Sequence, residues 1–337
     1  MASSAELKTL VLDAPTEVCS EAVRGLQGPL VSILLNNYNY GRFLGQAIRS
    51  ALAQSYANTE IIVVDDGSTD DSVEVARSFG YQVQVIAKGN SGQASAFNAG
   101  FAASRGEIVC LLDADDVFFP GKVERIVEVF AENPDAGWCF ENLKLFRDSE
   151  SERWPPEKWP RDRHFAAGKV DGRSAMRKGV FPRDIESASS GLSFRRELLA
   201  RILPMPHARS ILLCDDYIKT ACYALAPGMA LDEELSLQRM HGSNLYTNAG
   251  TRDRRISGQM SLLMGIYLQR RFRECRNAGM KLLCRGCAIL TVFGGWQPAY
   301  REEAWNNLRM MGPGLALKCV VRTALLVVLE VLRLRRL

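Results

Sequence analysis

The chain has 337 residues, 47% of them hydrophobic and 24% charged, with a formal net charge of +4. That length and apolar content suit one large α/β unit with additions, or two domains, and so mild a surplus of charge gives no reason to expect a nucleic-acid partner. Nine cysteines at no framework spacing, and no secretory signal at the start, point to a reduced, cytoplasmic setting.

Residues 1–28 show no clear period and read as an N-terminal extension. From Leu30 the pattern changes. LVSILL is an apolar run of strand length, and GRFLGQAIRSALAQ sets Phe43, Leu44, Ala47, Ile48, Ala51 and Leu52 at helical spacing. EIIVV, from Glu60 to Val64, reads as the second strand. The turn DDGSTDDS then offers Ser68, Thr69 or Asp70 as cap for the next helix. YQVQVIA, GQASAFNAGFAAS and EIVCLL follow as strand, helix and strand. A helix runs from beyond Pro120 to about Glu132, and AGWCFENLKLF reads as another strand. Residues 148–183, rich in Trp, Pro, Arg and Asp, read as a loop or insertion over the site. SSGLSFRRELLARI turns from strand to helix, and CDDYIKTACYALA is a helix with two carboxylates near its start. From about Thr251 the chain is helical by period, broken at MGPG, Met311 to Gly314.

Strands alternating with helices predict an α/β fold, a mostly parallel central sheet covered on both faces, followed by a C-terminal helical region. In such sheets ligands sit beyond the carboxyl ends of the strands. Asn36 to Asn39, Asp65 to Ser68, and Asp113 to Asp116 all fall at those ends, so three polar turns converge on one edge. In EIVCLLDADDVFFPGKVER the apolar strand runs straight into Asp113, Asp115 and Asp116. Three carboxylates within four residues repel one another and call for a positive partner. A hard divalent cation, Mn²⁺ or Mg²⁺, takes oxygen ligands and keeps phosphate oxygens in its shell. A helix cap accounts for one aspartate well and for three poorly.

The arrangement resembles the family 2 glycosyltransferases, enzymes of the Rossmann-like GT-A fold that use nucleotide-sugar donors. VSILLNNYNYGRFLGQAIRSALAQSY is similar to the family's opening strand and helix, and EIIVVDDGSTDDS to its second strand and nucleotide turn. GNSGQASAFNAGFAASRGEIVCLLDADD resembles the long segment that ends in the DxD metal motif. The resemblance covers about residues 30–245 and implies a glycosyltransferase domain over 29–245, a helical region over 246–312 and a terminal helix over 313–337. By the resemblance, Asn36, Tyr38, Asn39, Asp66, Gly92 and Asp113 would contact the donor nucleotide. A Tyr38 ring suits a flat base, and an Asp66 carboxylate accepting an imide N–H favours uracil or thymine. Asn36 departs from the family's usual threonine or serine, yet still donates and accepts. Asp115, with Asp113, would ligate the metal that bridges the donor's phosphates.

Inverting sugar transfer also needs a general base for the acceptor hydroxyl. The Asp215–Asp216 pair resembles the family's Glu-Asp pair, which makes Asp216 the candidate base. LQRMHGSNLY resembles a segment of the form Tyr-Arg-x-His-x-x-Asn. His241 would join the metal shell or the diphosphate, and Arg239 would neutralise phosphate charge. SSGLSFRREL resembles the strand lining the acceptor side. The implied partners are a UDP-sugar donor and a saccharide or lipid-linked saccharide acceptor.

The last stretch, Leu315 to Leu337, carries Lys318, Arg322, Arg333, Arg335 and Arg336 against Glu330 alone. Its longest unbroken apolar run, Ala324 to Leu329, is far short of the ~20 residues a spanning helix needs. A helix with one basic side and a broad apolar face fits the membrane interface; packing on the protein's own helices, or a dimer contact, are the alternatives. Cys284 and Cys287 have the spacing of a metal knuckle, but no second pair follows and the surroundings read as an apolar helix, so they are taken as core. Two rivals to the glycosyltransferase reading are a dinucleotide oxidoreductase, for which LLNNYNYG lacks the G-x-G-x-x-G fingerprint, and a non-catalytic binding or scaffold protein on the same fold.

Overall fold

The computed structural model describes residues 28–147, 168–182, 187–205, 214–241 and 254–334. Four parallel strands open it: β1 (Val31–Asn37), β2 (Thr59–Asp65), β3 (Gln84–Ala87) and β4 (Ile108–Asp113). They are joined by α1 (Gly41–Leu52), α2 (Ser72–Arg77) and α3 (Gln93–Ala103). β1, β2 and β4 are near-continuous Val, Ile and Leu because both faces of the sheet are covered. Alternate residues divide between two cores. Leu34, Ile62, Val64, Val109 and Leu111 face Phe97 of α3, while Ile33, Leu35, Val63, Cys110 and Leu112 face Leu44, Ala47 and Ile48 of α1.

The chain continues through β5 (Val117–Phe118), α4 (Lys122–Glu132), β6 (Trp138–Arg147), β7 (Gly168–Val170), α5 (Arg173–Arg177), β8 (Leu192–Arg195), α6 (Arg196–Ile202), α7 (Cys214–Leu225) and β9 (Gly228–Met240). The sheet order is β3-β2-β1-β4-β8-β6-β9-β5, with β7 also beside β9. β8 runs antiparallel to both β4 and β6, and β5 and β7 run antiparallel to β9, while β6 and β9 are parallel. The sheet is therefore mostly parallel, as expected, with a mixed second half that alternation alone did not reveal.

Local differences have local causes. In YQVQVIA only Gln84–Ala87 is strand, since Gly80–Gln82 forms a 3₁₀ turn. None of the three candidate caps in DDGSTDDS holds the cap position, which is Asp71; Asp70 supports the helix start from one residue earlier. Its carboxylate accepts the Ser72 N–H at 3.1 Å and the Gly41 N–H at 2.9 Å, so it serves the first residues of both α2 and α1. The segment read as a loop over 148–183 is in part β7 and α5; residues 148–167 and 183 lie outside the described residues, as does the extension up to residue 27.

The C-terminal region forms α8 (Arg254–Arg271), α9 (Arg276–Phe293), α10 (Pro298–Met310) and α11 (Pro313–Leu334). It has three breaks where the pattern suggested one. Phe272 takes an extended backbone after α8, and Gly294 and Gly295, at φ 80° and 96°, end α9. Cys284 is buried in α9, but its Sγ lies 3.3 Å from Cys319 of α11, so its neighbour is not Cys287.

Trp138 anchors the sheet's centre. Its ring stacks on Phe140 at 4.3 Å and its Nε1 donates to the Ala226 carbonyl at 3.1 Å. Gly228 pairs with Trp138 across β6 and β9, and a Cβ there would enter the indole ring. Gly228→Ala is expected to destabilise the fold by about 1–3 kcal/mol, read as a lower urea midpoint with unchanged slope.

Candidate functional site

Strand register builds the site. Asn36 pairs with Asp113 across β1 and β4, and Asn37 with Asp65 across β1 and β2, so the three polar turns do emerge at one edge. The first two are tied together. Asp65 accepts from the Asn37 side chain at 2.8 Å and from the Ser68 N–H at 2.9 Å. Asn39, in the left-handed region at φ 58°, accepts the Thr69 N–H at 2.7 Å and donates its own N–H to the Ser68 hydroxyl. Gly67, at φ 77°, leaves room for the Asn90 backbone, which a Cβ would meet at 2.6 Å.

Asp66 is buried and held by three donors. Its Oδ1 accepts the Ser91 N–H at 3.1 Å and the Lys88 ammonium, and its Oδ2 accepts the Gly92 N–H at 2.7 Å. Gly92 takes φ 90° to start α3 there. Beside this carboxylate the sheet edge presents two further groups. Asn36 is 8% exposed, yet neither amide atom has a hydrogen-bond partner, while Tyr38 is 46% exposed. A buried amide left unbonded is costly, on the order of 1–3 kcal/mol per group.

At the end of β4 the aspartates take distinct parts. Asp116 is buried and structural: its Oδ2 accepts the Ser190 hydroxyl at 2.6 Å and its Oδ1 the Arg239 N–H at 3.0 Å. Asp115 lies 3.0 Å from Nε2 of His241, whose ring packs between Tyr40 and Phe43. Asp113 receives a long 3.5 Å contact from Gln93. Burial, then the neighbouring charges of Asp115 and Asp215, push its pKa up to about 8, and the same crowding raises Asp116. Tyr40 is pushed to about 12 by burial and by Asp115 and Asp113.

Arg239 stands behind this cluster. Its guanidinium is sandwiched between Phe43 and Phe146, at 4.7 and 4.6 Å, donates from Nε to the Asp115 carbonyl at 3.0 Å, and bonds the Gln46 side chain. It is 1% exposed and braces the DxD turn from behind.

The third carboxylate group stands at the start of α7. Asp216 is partly exposed and lies 3.0 Å from the buried Lys219 ammonium, which also donates to the Ser187 carbonyl at 2.9 Å. Asp215 is 4.0 Å from the same ammonium; burial and the Asp216 charge raise its pKa to about 6 against the pull of Lys219.

Beneath the site lies a network that sequence reasoning missed. Lys122 and Glu141 are fully buried, 2.9 Å apart. The Lys122 ammonium also donates to the Ser236 hydroxyl and the Ser190 carbonyl, over the face of Phe118. Ser190 hands this on: its hydroxyl donates to Asp116 and accepts the Asp113 N–H at 3.0 Å. The signal was present, because Lys122 shares the buried stripe of α4 with Val123, Ile126, Val129 and Phe130, where an ammonium must have a partner. Lys219, on the buried side of α7, carried the same signal.

The predicted metal ligands come together only in part. Asp115 and His241 are in contact, but among the described residues no three His, Cys, Asp or Glu side chains are arranged to hold a metal ion. The donor chemistry still fits a hard divalent cation: carboxylate oxygens and one imidazole, in a cluster where burial and then like charges raise the pKa of Asp113 and Asp116.

Comparison with known proteins decides the family. The pattern that defines Glycosyl transferase family 2 matches residues 32–181. An uncharacterised glycosyltransferase of Nostoc sp. is 35% identical over 227 residues, 66% of this chain and 68% of that protein. The chain belongs to glycosyl transferase family 2. Other relatives of this glycosyltransferase match over less: an uncharacterised glycosyltransferase of Rickettsia prowazekii is 41% identical over 32% of this chain and 33% of its own length, and glycosyltransferase GlyG of Streptococcus pneumoniae 36% identical over 36% and 41%. In three dimensions the chain superposes on S. aureus TarS, residues 1–349, solved in complex with UDP-GlcNAc. The TM-score is 0.52 at 14% identity, covering 83% of this chain and 79% of that one. The fold is GT-A.

Two outcomes test the site's physics. Lys122→Met strands a buried carboxylate and is expected to cost about 3–5 kcal/mol, most of it recovered in Lys122→Met/Glu141→Leu, by chemical denaturation. Asp113 keeps its proton in the folded state across a window, from about pH 4 to about 8, where the unfolded chain has lost it, so stability falls as pH rises through that window. Without divalent cations, Asp113→Asn is therefore expected to melt higher than the parent at pH 8 and equally at pH 4, by scanning calorimetry.

Proposed function

We propose that this glycosyltransferase moves a sugar, with inversion, from a metal-bound UDP-sugar to a hydroxyl of a saccharide or lipid-linked saccharide. The observation that carries it is the crowded carboxylate cluster of Asp113, Asp115 and Asp116 with His241, on the same sheet edge as the unbonded Asn36 amide and Tyr38. A buried amide with no partner needs a polar ligand, and crowded carboxylates need a cation. A nucleoside diphosphate with its metal supplies both.

Each residue then has a task. Tyr38 covers the base. Asp66 keeps a lone pair on Oδ2, beyond the Gly92 bond, for an imide N–H, which favours uracil. TarS, a relative in fold, has been solved with UDP and with UDP-GlcNAc, in keeping with that choice. Asn39 and Gly92 serve the nucleotide indirectly, since their polar backbone and side-chain groups hold the turn and Asp66. Asp115 and Asp113, with His241, would hold Mn²⁺ or Mg²⁺, which when bound stabilises the diphosphate as it leaves. Arg239 acts by bracing Asp115 and Asp116 rather than by touching phosphate.

Asp216 takes the acceptor hydroxyl's proton as that oxygen bonds to the anomeric carbon on the face opposite the diphosphate, and the bond from that carbon to the phosphate oxygen breaks. Lys219, at 3.0 Å, orients the Asp216 carboxylate and offsets the repulsion between Asp215 and Asp216. The acceptor enters from the side of α7.

Calorimetric titration with UDP, with and without Mn²⁺, tests the donor half, and transfer from UDP-sugars tests the base. We expect Mn²⁺-dependent UDP binding that Asp115→Ala abolishes. Asp216→Asn should bind UDP like the parent and lose transfer by about 10²–10⁴-fold. No binding of UDP, dTDP or GDP would leave a scaffold on this fold.

A further inference from the structure

The last helix is turned inside out. α11 rests on α9 and α8 through Leu315, Cys319 and Leu326, and its one acidic residue, Glu330, points inward to pair with Arg254 at 3.3 Å. The opposite side faces outward and is aliphatic. Leu317, Val321, Leu325, Val328 and Leu332 are 47–65% exposed and, at 100° per residue, lie in a strip roughly 80° wide. Val320, Ala324 and Val331 widen the exposed arc to roughly 140°. Lys318 and Arg322 stand along one border. Beside the strip runs a cleft of about 620 Å³ between Met280 of α9 and α11, walled by Leu317, Val321 and Leu325, with Lys318 and Arg322 also lining it.

The character of this surface selects its occupant. A protein partner or a second copy would meet a patch with aromatic anchors and about one hydrogen bond per 100–200 Å². The outward face of α11 offers Leu, Val and Ala and no hydrogen-bonding group. A two-helix seam needs only a narrow stripe, much less than this arc. A lipid interface wants a broad aliphatic face with basic side chains beside it, whose stems lie along the apolar surface while their heads reach phosphate. The basic border, with the acidic residue sequestered by Arg254, makes the face complementary to an anionic surface. No described helix is long and apolar enough to cross a membrane, so contact is along the surface.

We infer that α11 docks this protein on the surface of an anionic phospholipid bilayer, its Leu317–Leu332 face in the acyl boundary and Lys318 and Arg322 at the headgroup phosphates. This does not depend on the donor or base assignments above. The test is sedimentation of the full chain with vesicles of phosphatidylcholine, and of phosphatidylcholine mixed with phosphatidylglycerol. The protein should pellet with the mixed vesicles, less so as salt rises. Leu317→Glu/Val321→Glu/Leu325→Glu changes exposed positions only and should keep the parent's melting temperature while losing vesicle binding. Lys318→Ala and Arg322→Ala should each weaken it roughly fivefold on mixed vesicles. Failure of the parent to pellet with either vesicle overturns the inference. So does a triple glutamate variant, folded by its melting temperature, that binds as the parent does. A concentration-dependent dimer that the triple variant breaks, with no vesicle binding, would assign the face to a second copy instead.

Discussion

A lysine and a glutamate with no contact with water hold the candidate site in place. Removing both charges from solvent costs several kcal/mol per ion, and their attraction offsets this only when further hydrogen bonds complete the shell. Lys122 has such a shell in Glu141, Ser236 and the Ser190 carbonyl. Ser190 is thereby fixed, and through it the Asp113 backbone and the Asp116 carboxylate. Asp116 in turn takes the Arg239 N–H, and Arg239 braces Asp115. The carboxylates at the end of β4 therefore do not ride on a free loop. They stand at the surface end of a polar column that begins in the core.

That column explains how like charges are kept together at all. Left to relax, Asp113, Asp115, Asp116 and Asp215 would separate. Backbone register, the Ser190 bridge and the sandwiched Arg239 keep them close, and burial together with the repulsion raises the proton affinity of Asp113, Asp116 and Asp215. Groups held close against their mutual repulsion gain more from a counter-charge than groups free to separate.

The first half of the sheet was legible in the sequence because each strand is an apolar run followed by a polar turn, and parallel order then brings the turns together. The second half was not. β8 lies antiparallel between β4 and β6, and β9 reads as a motif around Arg239 and His241 rather than as a 13-residue strand, because its exposed and buried residues alternate irregularly. The acidic members of the site were visible as clusters. Their supports, Lys122, Glu141, Ser190 and Lys219, come from four separate segments, and only tertiary packing joins them. Arg239 was read as facing phosphate because a cation near a diphosphate site has an obvious use; its packing between the rings of Phe43 and Phe146, distant in sequence, was not legible.

The contact between α8 and α9 has a bearing on how the C-terminal helices can vary. A Cβ on Gly265 would stand 2.5 Å from the Gly279 carbonyl oxygen, and one on Gly279 2.7 Å from that of Gly265; one on Gly286 would stand 2.6 Å from the carbonyl oxygen of Gly258. The two glycines of each helix are one heptad apart, so the backbones touch at matched intervals. Sliding either helix by a turn would drive a leucine into main chain. The pair thus works like a keyed joint with a single seating, and α11, resting on α9 beside Cys284, inherits that seating.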